Sequence, residues 1–481
     1  MLDEFDVQGY WWLPGEKDYN VPGNLYSEDG DYYLEILGSF TDALLTTKEY
    51  DYIYGFTVKG EKITLFNSMG LGISFNSPGI STEKLFIGSF IVGEHLSLIE
   101  KQEFHSVDIV MTHSTNWFNT RPFEISTEID KETNTLLKDT TTFIPPSTKN
   151  YYVPFLDANI SSKYNYSSRY DLDKGPSFEF IELFKITPDK KQDYNWFDNV
   201  VKSINRLLIL LINETSNLEK ITFFGNQKNI QGTDLKAREK YYLYFSYRNR
   251  NIKRSLDTRK MLFTFQDVQG KLNVILDNWF EKEAELENVY NLYFSDFFNK
   301  NENMETKFLN AVQTLEVFHR SIGQGKLFSD EERDSYIETI NEAIKDHLPE
   351  FIYSEVNQKL KYFNEYSLSK RLRDIGNGLN EETKKFLFGK NRNSRGFFHK
   401  VVMTRNYLTH YGEQTPKKFK GFESYYATII LKVLSGILLF KELGMKEEEI
   451  LEAMMDNSDL SFRVKDAKAN LGLNSSRKDY K

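Results

Sequence analysis

The sequence predicts an α+β protein, with a β-rich sandwich or barrel-like domain first and an all-α helical bundle after it. Three observations carry that reading. Apolar residues recur with a period of two in residues 1–190 and at three- and four-residue intervals in residues 301–462. Pro22-Gly23, Gly30, Gly60, Pro78-Gly79, Pro145-Pro146 and Gly175-Pro176 punctuate the first part, so its strands are short and follow one another without helices. The 38 Phe and 29 Tyr suit pleated, half-buried surfaces and aromatic cores.

Residues 1–190 read as a β-rich N-terminal domain. Tyr50, Tyr52, Tyr54, Phe56 and Val58 alternate with Asp51, Ile53, Gly55 and Thr57. Phe123, Ile125, Thr127 and Ile129 repeat the pattern, as do Phe178, Phe180, Phe184 and Ile186 around Glu182. Further strands are expected over 31–37, 62–67, 84–92, 105–112 and 151–156. Trp11-Trp12 has two readings: rings packed into the sheet core, or exposed platforms for a sugar or base. His95, His105 and His113 lack tight ligand spacing, so they read as ordinary core or surface histidines and no metal site is expected.

Residues 191–300 read as a mixed α/β extension and helical linker. Trp196, Val200, Ile204, Leu207, Leu208 and Leu211 predict a helix over 194–214, and strands are expected over 219–224, 241–247 and 259–266. Basic residues crowd 236–260, among them Arg248, Arg250, Lys253 and Arg254, and Tyr241, Tyr242, Tyr244, Phe245 and Tyr247 interleave with them. Such a stretch either binds nucleic acid, with cations on phosphates and rings on bases, or is a strand with aromatics inside and cations in water.

Residues 301–462 carry the helical spacing. Helices are expected over 304–322, 330–347, 353–365, 368–377, 381–388, 395–411 and 419–443, with Ser329 capping the second. Residues 463–481 read as a polar tail.

Composition excludes several functions. There is no cysteine, which removes disulfides, thiolate zinc sites and cysteine nucleophiles. A net charge of −9 argues against a general nucleic-acid coat but leaves room for a local basic site. The acidic N-terminus lacks a leader pattern, and the longest apolar run, Leu207–Ile212, falls short of a membrane span. A soluble, cytoplasmic protein without a membrane partner is expected.

The chemistry concentrates in Arg405-Asn406-Tyr407-Leu408-Thr409-His410, at the end of a helix with apolar residues at 397, 398, 401, 402 and 408. His410 can exchange protons at neutral pH, and Arg405 can fork onto phosphate oxygens. Asn406 can bond a phosphate or orient His410 from one turn away. Five residues on a regular helix separate Arg405 and His410 by about 140°. Either the helix frays near its end or the site is shared between two copies of the chain. His399 and Lys400 lie on the same helix, Arg392 and Arg395 begin the stretch, and Lys417, Lys418 and Lys420 follow it.

An all-α domain with an arginine, four intervening residues and a histidine near the end of a late helix resembles the HEPN superfamily. Leu315-Glu316-Val317-Phe318-His319-Arg320 resembles the first long helix of the HEPN domain of ApeA-like proteins, and the opening Gly9-Tyr10-Trp11-Trp12-Leu13-Pro14-Gly15 resembles the ApeA N-terminal domain. The resemblance implies a metal-independent anti-phage endoribonuclease without cofactors. Its catalytic residues would be Arg405, Asn406 and His410, its partners an RNA substrate, a second copy of the chain and a phage-derived trigger. By the same analogy Glu316, His319 and Arg320 approach the cleft and contact substrate, the alternative being ordinary helix-surface salt bridges. Arg392, Arg395 and Lys400 by their charge, and His399 by its place on the helix, are further candidate substrate contacts. The competing reading is a non-catalytic protein whose aromatic β domain binds nucleic acid or glycan and whose helices serve dimerisation.

Overall fold

The computed structural model describes residues 5–40, 48–75, 78–95, 102–229, 235–246, 256–299, 301–323, 325–389, 393–410 and 417–473. They fall into two compact units, 1–277 and 278–481. The expected boundaries at 190 and 300 do not coincide with this division. The reason is strand pairing: the hairpin after residue 217 is hydrogen-bonded into the N-terminal sheet.

In the first unit, strands β1 (Asp6–Trp12), β2 (Val21–Glu28), β3 (Asp31–Leu37), β4 (Glu49–Thr57), β5 (Lys62–Ser74) and β6 (Thr82–Val92) pair antiparallel in the order β6-β3-β2-β1-β4-β5, and β5 returns to β6. The sheet is therefore a closed six-stranded barrel without free edges. Alternation fills it: Tyr32, Leu34 and Ile36 point inward from β3, with Leu25, Ile53, Ile63, Leu65, Leu85 and Phe90 around them.

Trp11 and Trp12 are buried, so the core reading of this pair holds. The Trp11 indole donates to the Gly23 carbonyl at 3.2 Å and lies against Gly55, where a Cβ would come within 2.3 Å of the ring. Tyr50, Ile53, Gly55 and Thr57 are buried, whereas Phe56 is exposed.

A sheet extension continues from β6. After β7 (Glu103–Phe104), strand β8 (Ser106–Met111) lies between the hairpins of later strands; helix α1 (Ser114–Phe118) and the separate hairpin β9 (Phe123–Ile129) and β10 (Leu136–Phe143) follow it. The remaining strands are β11 (Asn150–Val153), β12 (Ala158–Asp171), β13 (Gly175–Pro188), β14 (Gln192–Asp193), β15 (Leu218–Asn229) and β16 (Lys236–Phe245). Five of them and β8 run in the order β11-β12-β13-β8-β15-β16 and join β6 through Tyr242 opposite Val92. Helix α2 (Tyr194–Ile212), capped by Asp193 accepting from the Trp196 amide at 2.8 Å, packs Phe197 and Tyr194 against Phe223 of β15.

The strand expected over 259–266 does not form. Residues 258–260 make a 3-10 turn, Phe263 donates its amide to Leu211, and α3 (Phe265–Val268) begins instead. Met261, Leu262 and Phe263 are apolar because they are buried, not because they alternate across a sheet. Helix α4 (Leu272–Glu281) carries the chain into the second unit.

That unit is all-α: α5 (Glu283–Phe298), α6 (Met304–Ile322), α7 (Asp330–Ile344), α8 (Glu350–Leu360), α9 (Leu368–Asn377), α10 (Glu381–Phe388), α11 (Asn393–His410), α12 (Glu423–Glu442), α13 (Glu447–Asp456) and α14 (Ser458–Asn470). Ser329 accepts from the Glu332 amide at 3.2 Å and closes a capping box, as its position predicts. By length and composition α12 could cross a membrane, but 72% of its apolar window is buried within the unit, as in a central helix. It packs against α5, α6 and α14; Gly436 lets the Tyr293 hydroxyl approach to 3.1 Å of where a Cβ would sit. The expected polar tail from 463 begins later, because α14 continues to Asn470 and buries Val464 and Ala467 at a three-residue interval.

Gly55→Ala forces the new methyl into the Trp11 ring and should lower the stability of the barrel by roughly 1–3 kcal/mol, the usual cost of overpacking. The chemical-denaturation midpoint, followed by tryptophan fluorescence, is the measurement; an unchanged midpoint would show that the ring relaxes without cost.

Candidate active site

Helix α11 runs unbroken through the motif. Its inner seam is Phe397, Phe398, Val401 and Thr404, all buried. Phe398 fits against Gly376 of α9, where a Cβ would lie 2.7 Å from the ring. The Thr404 hydroxyl donates to the Lys400 carbonyl at 2.8 Å and accepts from the Phe419 amide at 2.8 Å. That second bond ties the segment beginning at Lys417 alongside the helix. Lys418 consequently sits over the Tyr407 ring, and Lys400 lies 5.5 Å from the Phe419 ring centre.

The helix does not fray at its end: the Thr409 hydroxyl donates to the Arg405 and Asn406 carbonyls at 2.9 and 3.2 Å. Arg405 and His410 thus keep the divergence of about 140° set by helical geometry. Arg405 is half-buried and donates to Asn406 Oδ1 at 3.3 Å. Asn406 therefore holds the arginine; no hydrogen bond among the described residues links it to His410. Arg395, His399, Asn406 and His410 are all exposed and fall within about 60° of one another on the helix surface. The half-exposed Val402 and Met403 lie on the same side. The outward stripe of α11 carries both imidazoles, while Arg405 turns toward the bundle. Lys400, at about 140° from Arg395, is not on that stripe.

Glu316, His319 and Arg320 belong to a different network. His319 Nε2 lies 3.7 Å from Asp374, and its Nδ1 lies 3.5 Å from the Arg371 guanidinium. Burial, and next the Arg371 charge, hold the His319 imidazole below its usual pKa; Asp374 works in the opposite direction. Arg320 meets Glu316 at 3.5 Å and Glu365 at 3.6 Å. Arg371 is buried and donates to the carbonyls of Tyr366 at 3.0 Å and Gly325 at 3.3 Å. A cavity of ≈ 600 Å³ opens beside it, lined by Arg320, Gly325, Lys326, Phe328, Glu365 and Arg371. Among the described residues no hydrogen bond or ion pair joins this network to Arg405, Asn406 or His410. Arg371 is the residue that sequence reasoning missed. Its signal is an arginine on the apolar face of α9, beside Leu372 and Ile375. Arg392, and the basic patch Arg248, Arg250, Lys253 and Arg254, lie outside the described residues.

An α-helical unit carrying this arginine–histidine spacing on a late helix defines a HEPN-type domain, and residues 309–449 match the family model for the ApeA-like HEPN domain. Residues 6–279, more than half of the chain, match the model for ApeA N-terminal domain 1. The chain belongs to the ApeA family of HEPN proteins, with an anti-phage defence, nuclease-like role. No curated protein and no solved structure matches it.

Replacing Arg371 by Gln leaves two carbonyls short of a charged donor and removes a cation beside His319. Stability should fall by roughly 1–3 kcal/mol. The His319 pKa, followed by NMR, should move up toward the ordinary imidazole value. In the wild type the depressed pKa means the contribution is fully present above the unfolded-state value of about 6.5 and is lost as pH falls below it. The variant should show a weaker loss on acidification; an unmoved His319 titration would rule out the guanidinium as a cause.

Proposed function

We propose that the chain is a metal-independent endoribonuclease whose active cleft forms between the HEPN units of two copies. The observation that carries this is the divergence of Arg405 and His410 on one unbroken helix. A single copy offers an outward imidazole and a half-buried guanidinium, which face different directions. A second α11 laid against the stripe of Val402, Met403, Asn406 and His410 brings a second His410 imidazole beside the first.

RNA brings its own nucleophile, the 2′-hydroxyl. Its oxygen attacks the adjacent phosphorus, the 2′-proton passes to one imidazole, and the 5′-oxygen leaves as it takes a proton from another. The products are a 2′,3′-cyclic phosphate and a 5′-hydroxyl. Two copies of His410 fit the need for a base and an acid in the same step. Arg405 stabilises charge on the phosphoryl oxygens, and Asn406, bonded to it, limits its rotamers. Arg395 and His399, on the stripe with His410, would meet the RNA backbone. The N-terminal unit restrains this activity until a phage-derived signal reaches it, which is how such a nuclease serves defence in a living cell.

Cleavage of RNA by the purified protein, with and without EDTA, tests the chemistry. His410→Ala and Arg405→Ala should each reduce the rate by about 10²–10⁴ while EDTA leaves it unchanged. Mixing the two inactive variants should restore part of the activity if the cleft is shared. Phage challenge of cells carrying wild type or His410→Ala covers a nuclease that is silent until triggered. Equal protection by both would overturn catalysis and favour a non-catalytic binding protein.

A further inference from the structure

The sheet extension of the first unit has two unlike faces. Strand alternation sends Val107 and Ile109 of β8, Ile221 and Phe223 of β15 and Leu243 of β16 to one side, where they are buried and α2 packs. The same alternation sends Asp108, Thr222 and Tyr242, register partners across β8, β15 and β16, to the other side. There the chain builds a trough instead of a second core.

Two adjoining cavities occupy this face and share Lys163. One, of ≈ 280 Å³, is lined by Asp108, Phe224, Tyr242 and Tyr244 with Lys220 and Lys240; the other, of ≈ 540 Å³, runs over Lys185, Ser161 and Asn159. Four lysines line the two, against the carboxylates of Asp108 and Glu219. The lysine ammoniums gather over rings: Lys163 and Lys185 lie 5.3 and 5.7 Å from the Phe224 centre, and Lys220 lies 4.9 Å from that of Tyr242. Asp108 is 6% exposed. Its Oδ2 pairs with Lys163, but its Oδ1, also buried, has no hydrogen-bond partner. A buried carboxylate oxygen without a donor is costly, and it lines a cavity that a ligand can enter.

We propose that this trough binds a nucleoside phosphate. The rings of Phe224 and Tyr242 take the flat base, the Asp108 Oδ1 accepts a hydrogen bond from a base N–H, and Lys163, Lys185 and Lys240 hold the phosphates. Together the two adjoining cavities suit a mononucleotide, since small-ligand sites span about 300–1,000 Å³. Longer single strands would also meet cations and rings, but the buried carboxylate in the smaller cavity selects one inserted base over a run of stacked ones. The site lies within the N-terminal unit and is independent of whether α11 cleaves RNA.

Isothermal titration of the full-length protein with ATP, GTP, CTP, UTP, inorganic phosphate and a single-stranded DNA oligonucleotide tests it. At least one nucleotide should bind with a Kd below about 1 mM, and inorganic phosphate roughly tenfold or more weakly. The Lys185→Glu/Lys240→Glu double variant, whose side chains reach solvent, should weaken nucleotide binding at least about tenfold without changing Tm. Asp108→Asn should alter the preference among the four bases; if it folds poorly, Tyr242→Ala serves instead and should weaken every nucleotide while sparing phosphate. Absence of nucleotide binding, binding indifferent to the double variant, or oligonucleotide binding without mononucleotide binding would each overturn the proposal. RNA cleavage does not enter any of these readouts, so failure here leaves the nuclease reading untouched.

Discussion

The N-terminal architecture depends on one strand holding three partners. β6 pairs with β5 along its length on one edge; its other edge is divided, Thr82–Ile87 with β3 and Ser89–Val92 with β16. The first pairing on the divided edge closes the barrel. The second starts the extension on which α2 and the lysine-lined trough are built. A closed sheet ordinarily has no edge to offer. β6 provides one because it is longer than the β3 segment it pairs with, so its last residues project past the ring. Without that overhang β16 would have no barrel strand to pair with.

The helical unit is organised by burial in a different way. α12 is apolar on every side because neighbours cover it on every side, which no amphipathic surface helix could tolerate. α11 is the opposite case. Its seam is narrow, its outer stripe is polar, and it leads into the return segment through the Thr404–Phe419 bond. The buried Arg371 plays a related part between α6 and α9, since it adds a charged donor to the Gly325 and Tyr366 carbonyls beside the short antiparallel bridge between Lys326 and Glu365. Its charge reaches His319, so a structural residue also sets the protonation of a neighbour.

Much of the candidate site was legible as residues and little of it as geometry. Arg405 and His410 stand out because their types suit phosphoryl chemistry and their neighbours read as a helix. That Asn406 bonds Arg405 and not His410 was not legible, because both lie within reach on a helix surface and side-chain rotamers decide between them. Glu316, His319 and Arg320 looked like cleft residues by analogy, yet their bonds lead to α9 and the Glu365 turn. The basic, aromatic stretch after residue 236 held two readings; on β16 Tyr241, Leu243 and Tyr244 are buried, as in a strand with aromatics inside, while Lys240 is exposed and Tyr242 half-buried beside the trough.

By itself the sequence determined the order of the two halves, the positions of α2 and of α6 to α12, many of the strands, and the arginine–histidine spacing. These depend on local patterns: periodicity, caps, and the Gly and Pro breaks between elements. β2, β10, β12, α13 and α14 were not among the expected elements. Only the tertiary structure decided that the barrel closes, that 218–245 belongs to the first unit, that Gly55 is the seat of Trp11, and that Asp108 is buried beside an open cavity. Each of those joins residues far apart in the chain through register or close contact. A periodic pattern says which face of a strand is apolar, but not which strand lies beside it.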